Sequence, residues 1–363
     1  MHPNLYAFLL AAALGLAFTP LAHKLAWSIG FLDRPVTALK THRRPVAYLG
    51  GVAVALAFGL SVLWVKFTAM PAVGHAAWPL GLEQGRGVYA IGLGGLIALG
   101  LGLLDDKHAL SPKLKFLGQL AGALVLLAFG LRLRFVPHEG LSMALTVLWV
   151  LALTNALNFI DIMDGLAASV CVAACLGFLA FALNGGRPNE ALAAAALAGA
   201  CLGFLPYNWA PAKIYLGDAG SHFIGFTLAA LSLNLRYSHQ NELAVFSPLV
   251  ILALPLFDLA LMIVIRLQNG IPPWHGSPDH VPLRLKQLGL SAPQVALALT
   301  GLTAALGALV YAASFLSLRT ALLLWGGLGA AAVLAAAWLM SIPMPHRPAG
   351  RAHSQTTPKK KRA

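Results

Sequence analysis

Long apolar runs alternate with short polar stretches along the whole chain. Runs of roughly 17 to 25 apolar residues match the length of helix that crosses a hydrocarbon core. Eleven of them recur, at 4–26, 47–66, 86–104, 113–131, 141–157, 165–183, 190–207, 219–236, 244–266, 292–314 and 318–340. The pattern predicts an all-α integral membrane fold, a multi-pass bundle of about eleven transmembrane helices filling residues 1–340, with 341–363 as a tail. The first run lacks a small-residue cleavage site and is long enough to span, so it reads as a retained helix and not a removed leader.

Composition agrees. Of 363 residues, 59% are hydrophobic and 10% charged, whereas soluble domains carry about 25% charged residues. Cys171, Cys175 and Cys201 fall inside predicted spans with neither disulfide nor metal spacing, and read as small buried hydrophobes.

The charged residues orient the bundle. With the N-terminus outside, 18 of the 25 Lys and Arg fall on the inner side or in the tail, and 7 on the outer side. That bias fixes a cytoplasmic C-terminus by the positive-inside rule. The net charge of +13 then calls for no nucleic-acid partner. The tail "HRPAGRAHSQTTPKKKRA" has no acid and little that could pack, so it is expected to be disordered and to attract anionic lipids.

The twelve acids sort by type. Glu83, Glu139, Glu190 and Glu242 fall on the outer side. Asp33, Asp105, Asp106, Asp161, Asp164, Asp218, Asp258 and Asp279 all fall at inner span ends or in inner loops. A carboxylate near a helix N-terminus is favoured by the dipole alone, which would account for Asp164 or Asp218 singly but not for eight on one face beside lysines. In "LGLLDDKHALSPKLKFLGQ", adjacent Asp105 and Asp106 end one span while Lys113 and Lys115 open the next. Such a pair costs energy unless a cation stands by it. In "NALNFIDIMDGL", Asp161 and Asp164 follow Asn155 and Asn158 by about one turn. In "YLGDAGSHF", Gly217 and Gly220 permit close backbone approach, while Ser221 and the helix start offer phosphate-binding donors. Carboxylates, lysines and glycine-bordered helix starts together describe a site for Mg²⁺ and phosphates.

The glycines of "GLGGLIALGLG" lie inside a span and read as close helix packing, not as a dinucleotide fingerprint. No G-x-x-x-x-G-K-[ST] loop is present, so an ATP-driven pump is not indicated.

These segments, with "GFLDRPVTALKTHRRPVAYLGG" and "PLFDLALMIVIRLQNG", resemble the polyprenyl-phosphate N-acetylhexosamine-1-phosphate transferases, glycosyltransferase family 4, from about residue 30 to about residue 290. The branch most similar uses undecaprenyl phosphate and GlcNAc-1-phosphate. The resemblance implies a phosphotransferase acting on substituted phosphates. It would use Mg²⁺, with Mn²⁺ as the alternative, to join a UDP-N-acetylhexosamine to undecaprenyl phosphate in the inner (plasma) membrane. UMP would leave, and the lipid-linked product would start a cell-envelope polysaccharide.

By that likeness Asp218 is the leading metal ligand. Asp105 and Asp106 lie beside the lipid phosphate, where one acts as base or, for Asp105, helps to hold the metal. Lys115 contacts phosphate. Asn158, Asp161 and Asp164 hold nucleotide and shape the metal site. Lys40, His42, Gly217 and Ser221 line the same cleft, and a homodimer is implied.

The chain departs from the pattern in its last inner loop, "WHGSPDHVPLRLKQLG": His280 and Arg284 keep the frame, but Pro282 and Leu283 stand where histidines are common. By the resemblance that loop is tied to sugar choice, so His280 and Arg284 are candidate substrate contacts and the sugar is left open. Phospho-MurNAc-pentapeptide ranks lower as donor. His108, Trp274 and His222 lie nearby, where interfacial anchoring explains them as well. The rival class is a secondary transporter, with ionisable groups at the bilayer midplane. Here only Asp258 and Arg266 sit within a span, which favours the enzyme over a transporter or an inactive scaffold.

Overall fold

The computed structural model describes residues 2–34, 44–68, 82–272 and 278–344. Lys40, His42, Trp274, His275 and the tail from 345 onward lie outside the described residues.

Every predicted span contains helix. α1 (Pro3–Ser28), α2 (Gly50–Thr68), α3 (Leu82–His108), α4 (Pro112–Ala128), α5 (Glu139–Ile160), α6 (Leu166–Asn184), α7 (Pro188–Asn208) and α8 (Gly217–Leu233) follow in order. A 3-10 turn (Glu242–Phe246) then leads to α9 (Ser247–Ile251), α10 (Ala253–Gln268), α11 (Val281–Gln287), α12 (Ala292–Ala313) and α13 (Leu318–Ser341). Among the described residues, eight helices are long and apolar enough to cross a membrane. α4 and α8, at 17 residues each, reach only about 25 Å. The chain is thus an all-α, multi-pass membrane protein.

Start signals lie in the sequence. Ser111 and Ser317 cap α4 and α13 by accepting from Leu114 N and Thr320 N, both at 3.4 Å. Ser291 and Gln294 form a capping box at α12, so each helix begins where its connecting loop ends.

The run 244–266 departs from a single span: it is a bent pair, with 72° between Glu242–Ile251 and Ala253–Gln268. Pro255 explains the break. It carries no N–H for the carbonyl of Ile251, and its ring crowds that carbonyl. Hydropathy does not register a missing donor.

Among the described residues, two short strands, absent from the all-α expectation, clip together the segments that lead into α2 and α8. β1 (Leu32–Asp33) pairs antiparallel with β2 (Val46–Ala47), and Ala47 forms a parallel bridge to Ile214.

α8 is the central helix. Every residue in it except Asp218 is buried, and α2, α3 and α5 pack around it. The crossings are backbone on backbone: a Cβ at Gly51 would strike Gly220, and one at Gly102 would strike Asp218 O and Ala219. The expected packing role of the α3 glycines is realised at Gly94, which faces the Phe226 ring, and at Gly102, while Gly92 and Gly100 meet nothing within 4 Å. Cys171, Cys175 and Cys201 are buried free thiols, as expected of packing residues.

Gly102→Leu should therefore lower the thermal midpoint of detergent-solubilised protein, or abolish folded protein, since overpacking costs about 1–3 kcal/mol. Gly100→Leu, on the same helix, should leave the midpoint unchanged; equal loss in both would deny the close α3–α8 crossing.

Candidate active site at the inner end of α8

Two segments that share Tyr-Leu-Gly run side by side into the site. "AYLGG" (47–51) and "IYLGD" (214–218) lie parallel, with Tyr215 N donating to Ala47 O at 2.9 Å, Gly50 N to Tyr215 O at 3.0 Å and Gly51 N to Leu216 O at 2.8 Å. The Tyr48 and Tyr215 rings meet edge to face with centroids 6.2 Å apart. Neither tyrosine was expected at the site, although the repeated Tyr-Leu-Gly was a signal for both.

Gly217 then takes φ +75°, a left-handed turn that suits glycine, and α8 begins. Its first N–H groups have no partner within the helix. Asp106, from the last turn of α3, supplies one: Oδ1 accepts from Asp218 N at 2.8 Å and Oδ2 from Ala219 N at 3.1 Å. The close approach that Gly217 permits is made to this carboxylate, since a Cβ there would lie 2.8 Å from Asp106 Oδ2. The helix start that sequence offered to phosphate thus has two of its donors spent on the chain itself. The physical reason is proximity, because α3 ends directly across from it.

Asp105, one residue earlier, points to other partners. Its Oδ1 accepts from Leu110 N at 2.8 Å, and its Oδ2 is ion-paired with Lys115. Lys115 Nζ also lies 3.7 Å from Asp218 Oδ2. Asn158, at the end of α5, donates through Nδ2 to Asp218 Oδ1 at 2.8 Å and to Ser221 Oγ at 3.0 Å. His222 donates through Nδ1 to Asp218 O at 2.7 Å. The Asp218 side chain is 28% exposed and that of Asp105 2%, so of these two acids Asp218 is the one open to an incoming ligand.

Asp161 and Asp164 lie in the turn between α5 and α6. Asp164 Oδ2 accepts from Ala212 N at 2.9 Å, which ties that turn to the segment leading into α8. Asp161 has its carboxyl held well above the usual carboxylate range, by burial first and then by the charges of Asp218, Asp106 and Asp164. Burial and the charges of Asp164, Asp33 and Asp161 likewise push the Tyr215 hydroxyl up. The site carries more negative charge than its lysine offsets, so a cation would be bound favourably.

Among the described residues no three His, Cys, Asp or Glu side chains converge tightly enough to hold a metal ion unaided. That donor set still fits Mg²⁺, which is usually held by one or two carboxylates together with substrate phosphates and water.

Asp105, Asp106, Lys115, Asn158, Asp161, Asp164, Gly217, Asp218 and Ser221 are thus brought together. His280 and Arg284 are not bonded into this cluster. His280 Nδ1 pairs with Asp258 Oδ2 at 2.8 Å, and Val281 N donates to Asp258 Oδ1 at 2.6 Å. Arg284 binds Asp279 Oδ1 at 2.8 Å, the α13 carbonyl of Leu339 at 2.8 Å and that of Ile342, just past the helix, at 3.0 Å. Both side chains hold the last inner loop in place. The loop touches α5 through Phe159, whose ring meets His280 edge-on at 6.1 Å and lies 5.6 Å below the Arg266 guanidinium. Charge and motif position suggested ligand contacts there; only the fold reveals the internal partners.

The family profile "Glycosyl transferase family 4" matches residues 88–236, a stretch that holds every member of the cluster. A relative in Bacillus subtilis, named a probable undecaprenyl-phosphate N-acetylglucosaminyl 1-phosphate transferase, is 33% identical over 294 residues, 78% of each chain. The chain belongs to this family. Family members less similar to it include a Mycobacterium leprae decaprenyl-phosphate N-acetylglucosaminephosphotransferase, 31% identical over 70% of each chain. An Escherichia coli undecaprenyl-phosphate alpha-N-acetylglucosaminyl 1-phosphate transferase is 26% identical over 77% of this chain and 75% of its own.

Asp106→Ala removes the acceptor for two α8 N–H groups. Loss of a cap costs about 0.5–2 kcal/mol, so the thermal midpoint should fall, and fall less in Asp106→Asn, which keeps one acceptor oxygen. A midpoint unchanged in the alanine variant would show that Asp106 does not hold α8.

Proposed function

We propose that the protein transfers N-acetylglucosamine 1-phosphate from a UDP-linked donor to undecaprenyl phosphate, forming a lipid-linked diphosphate sugar and releasing UMP. The observation that carries this reading is Asp218. It is a partly exposed carboxylate at the start of a buried helix, flanked by Lys115 and Asn158, in a family whose named relatives perform this transfer on polyprenyl phosphates.

In this reaction an oxygen of the lipid phosphate bonds to the sugar-bearing phosphorus as the bond from that phosphorus to the UMP oxygen breaks. The lipid phosphate is already largely ionised near neutral pH, so the reaction asks the protein for charge compensation more than for proton removal. Lys115 lies against Asp105 and close to Asp218, where its ammonium offsets repulsion between the polyanionic partners. Asn158 orients the Asp218 carboxylate. Asp218 and Asp105 are the residues that would hold Mg²⁺, which supplies further compensation for charge developing on the departing UMP. Asp106 fixes the helix that carries Asp218. Tyr48 and Tyr215 lie close enough to the cluster for its aspartates to act on both hydroxyls.

The reading extends to topology. Eleven crossings are reached by adding α4, α8 and the bent α9–α10 pair to the eight long helices. The excess of Lys and Arg on the inner side supports an outside N-terminus and a cytoplasmic C-terminus in the inner membrane. The cluster then faces the compartment that supplies nucleotide sugars. The basic tail is proposed to touch anionic lipids, and the functional unit is proposed to be a dimer.

Purified protein given undecaprenyl phosphate, Mg²⁺ and a panel of UDP-N-acetylhexosamines and UDP-MurNAc-pentapeptide should release UMP with UDP-GlcNAc. Asp218→Asn and Asp105→Asn should each cut the rate by about 10²–10³-fold while leaving the protein folded. Full activity in both variants would remove the site, and product with another sugar alone would rename the donor.

A further inference from the structure

Gln119 on α4 and Asn155 on α5 form a reciprocal amide pair. Asn155 Nδ2 donates to Gln119 Oε1 at 2.8 Å, and Gln119 Nε2 donates back to Asn155 Oδ1 at 3.3 Å. Asn155 Nδ2 also donates to the Leu151 carbonyl of its own helix at 2.7 Å, which fixes the asparagine rotamer. A pair of this kind satisfies two amides in an apolar setting, and that alone would be a structural role.

Its position indicates more. The buried residues of α4 are Gln119, Gly122, Ala123 and Leu126, so Gln119 is the first fully buried residue of the helix. Lys115 lies four residues before it, one turn earlier and on the same face. On α5, Asn158 lies three residues after Asn155 and again on the same face. Lys115 and Asn158 then meet different oxygens of one carboxylate: Nζ is 3.7 Å from Asp218 Oδ2, and Nδ2 is 2.8 Å from Asp218 Oδ1.

Two hydrogen bonds between planar groups fix both the rise and the rotation of α4 against α5. A slip of one residue, about 1.5 Å along the axis, would break both bonds and carry Lys115 away from the acids. We propose that the Gln119–Asn155 pair is a positioning device, setting the register of α4 against α5 so that Lys115 and Asn158 bracket the Asp218 carboxylate. This rests on the reading of Asp218 as the centre of the transfer.

The test is a set of variants of the full chain, each assayed for UMP release with UDP-GlcNAc and undecaprenyl phosphate and for its thermal midpoint. Gln119→Met keeps the side-chain length and removes the amide; Asn155→Leu breaks the same pair from the other side. Each should lower kcat by about tenfold or more, as misplacement of a reacting group by about 1 Å can, with the midpoint within a few degrees of wild type.

The double variant should be no worse than the poorer single, because both break one interaction. In a Lys115→Ala background, Gln119→Met should lose most of its effect on kcat, since the lysine it positions is already absent.

Wild-type kcat in Gln119→Met, or losses that multiply in full with that of Lys115→Ala, would overturn the positioning role while leaving the Asp218 centre standing. Full kcat in Lys115→Ala alone would overturn the reading of the centre, and this inference with it.

Discussion

The site depends on one carboxylate laid across the start of one helix. α8 is buried along its length except at Asp218, so its first N–H groups sit where water is scarce and an unmade hydrogen bond is expensive. Asp106 accepts two of them, and a carboxylate at a helix N-terminus gains both a charge-assisted bond and a favourable dipole. The backbone of Asp218 is thereby fixed to the last turn of α3, while its side chain turns to Asn158 and Lys115. Successive residues on a helix point about 100° apart, which is why adjacent Asp105 and Asp106 serve different partners: one caps α8 and the other meets Lys115. The costly pair "DD" is stable because its two charges are compensated separately.

The remaining charge is less well compensated. Asp161 sits close enough to Asp106, Asp164 and Asp218 for their charges to oppose its ionisation, and Lys115 is shared between Asp105 and Asp218. An excess of negative charge at a partly dehydrated surface raises the free energy of the protein when no cation is bound. It equally raises the gain from bringing a cation with phosphates attached. This imbalance separates the cluster from a structural ion-pair network, in which the charges would balance within the protein.

Much of this arrangement was legible in the chain. Apolar runs located every long helix, though not the short α11 (Val281–Gln287), because a span must satisfy its backbone internally and face lipid with its side chains. The segregation of aspartate from glutamate marked the face that carries the site, and Asp105, Lys115, Asn158 and Asp218 were all named from their local motifs. What could not be read were relations between distant segments. The roles of Asp106 and Gly217 exist only because α3 ends opposite α8, and the break before α10 follows from an N–H that Pro255 lacks. Tyr48 and Tyr215 were missed because two copies of Tyr-Leu-Gly, far apart in the chain, gain meaning only when they lie parallel. His280 and Arg284 carried a suggestive motif, yet each is spent on a partner that no local pattern names.

The last inner loop shows how such internal bonding still bears on function. Asp258 holds the start of α11 through His280 and Val281 N, and Arg284 fastens the same short helix to the carbonyls of Leu339 and Ile342 at the end of α13. Within α13, Ala321 and Leu339 are the buried residues and Trp325, Leu328 and Ala336 pack more loosely, so this clamp is a main attachment of its C-terminal end. The loop reaches α5 through Phe159, and the next residue back is Asn158, bonded to Asp218. Loop and centre therefore meet at neighbouring residues on one helix end. A change in the loop can reach the transfer site by shifting Phe159 without placing any loop side chain in it, which makes the internal partners of His280 and Arg284 compatible with an influence on which sugar is accepted.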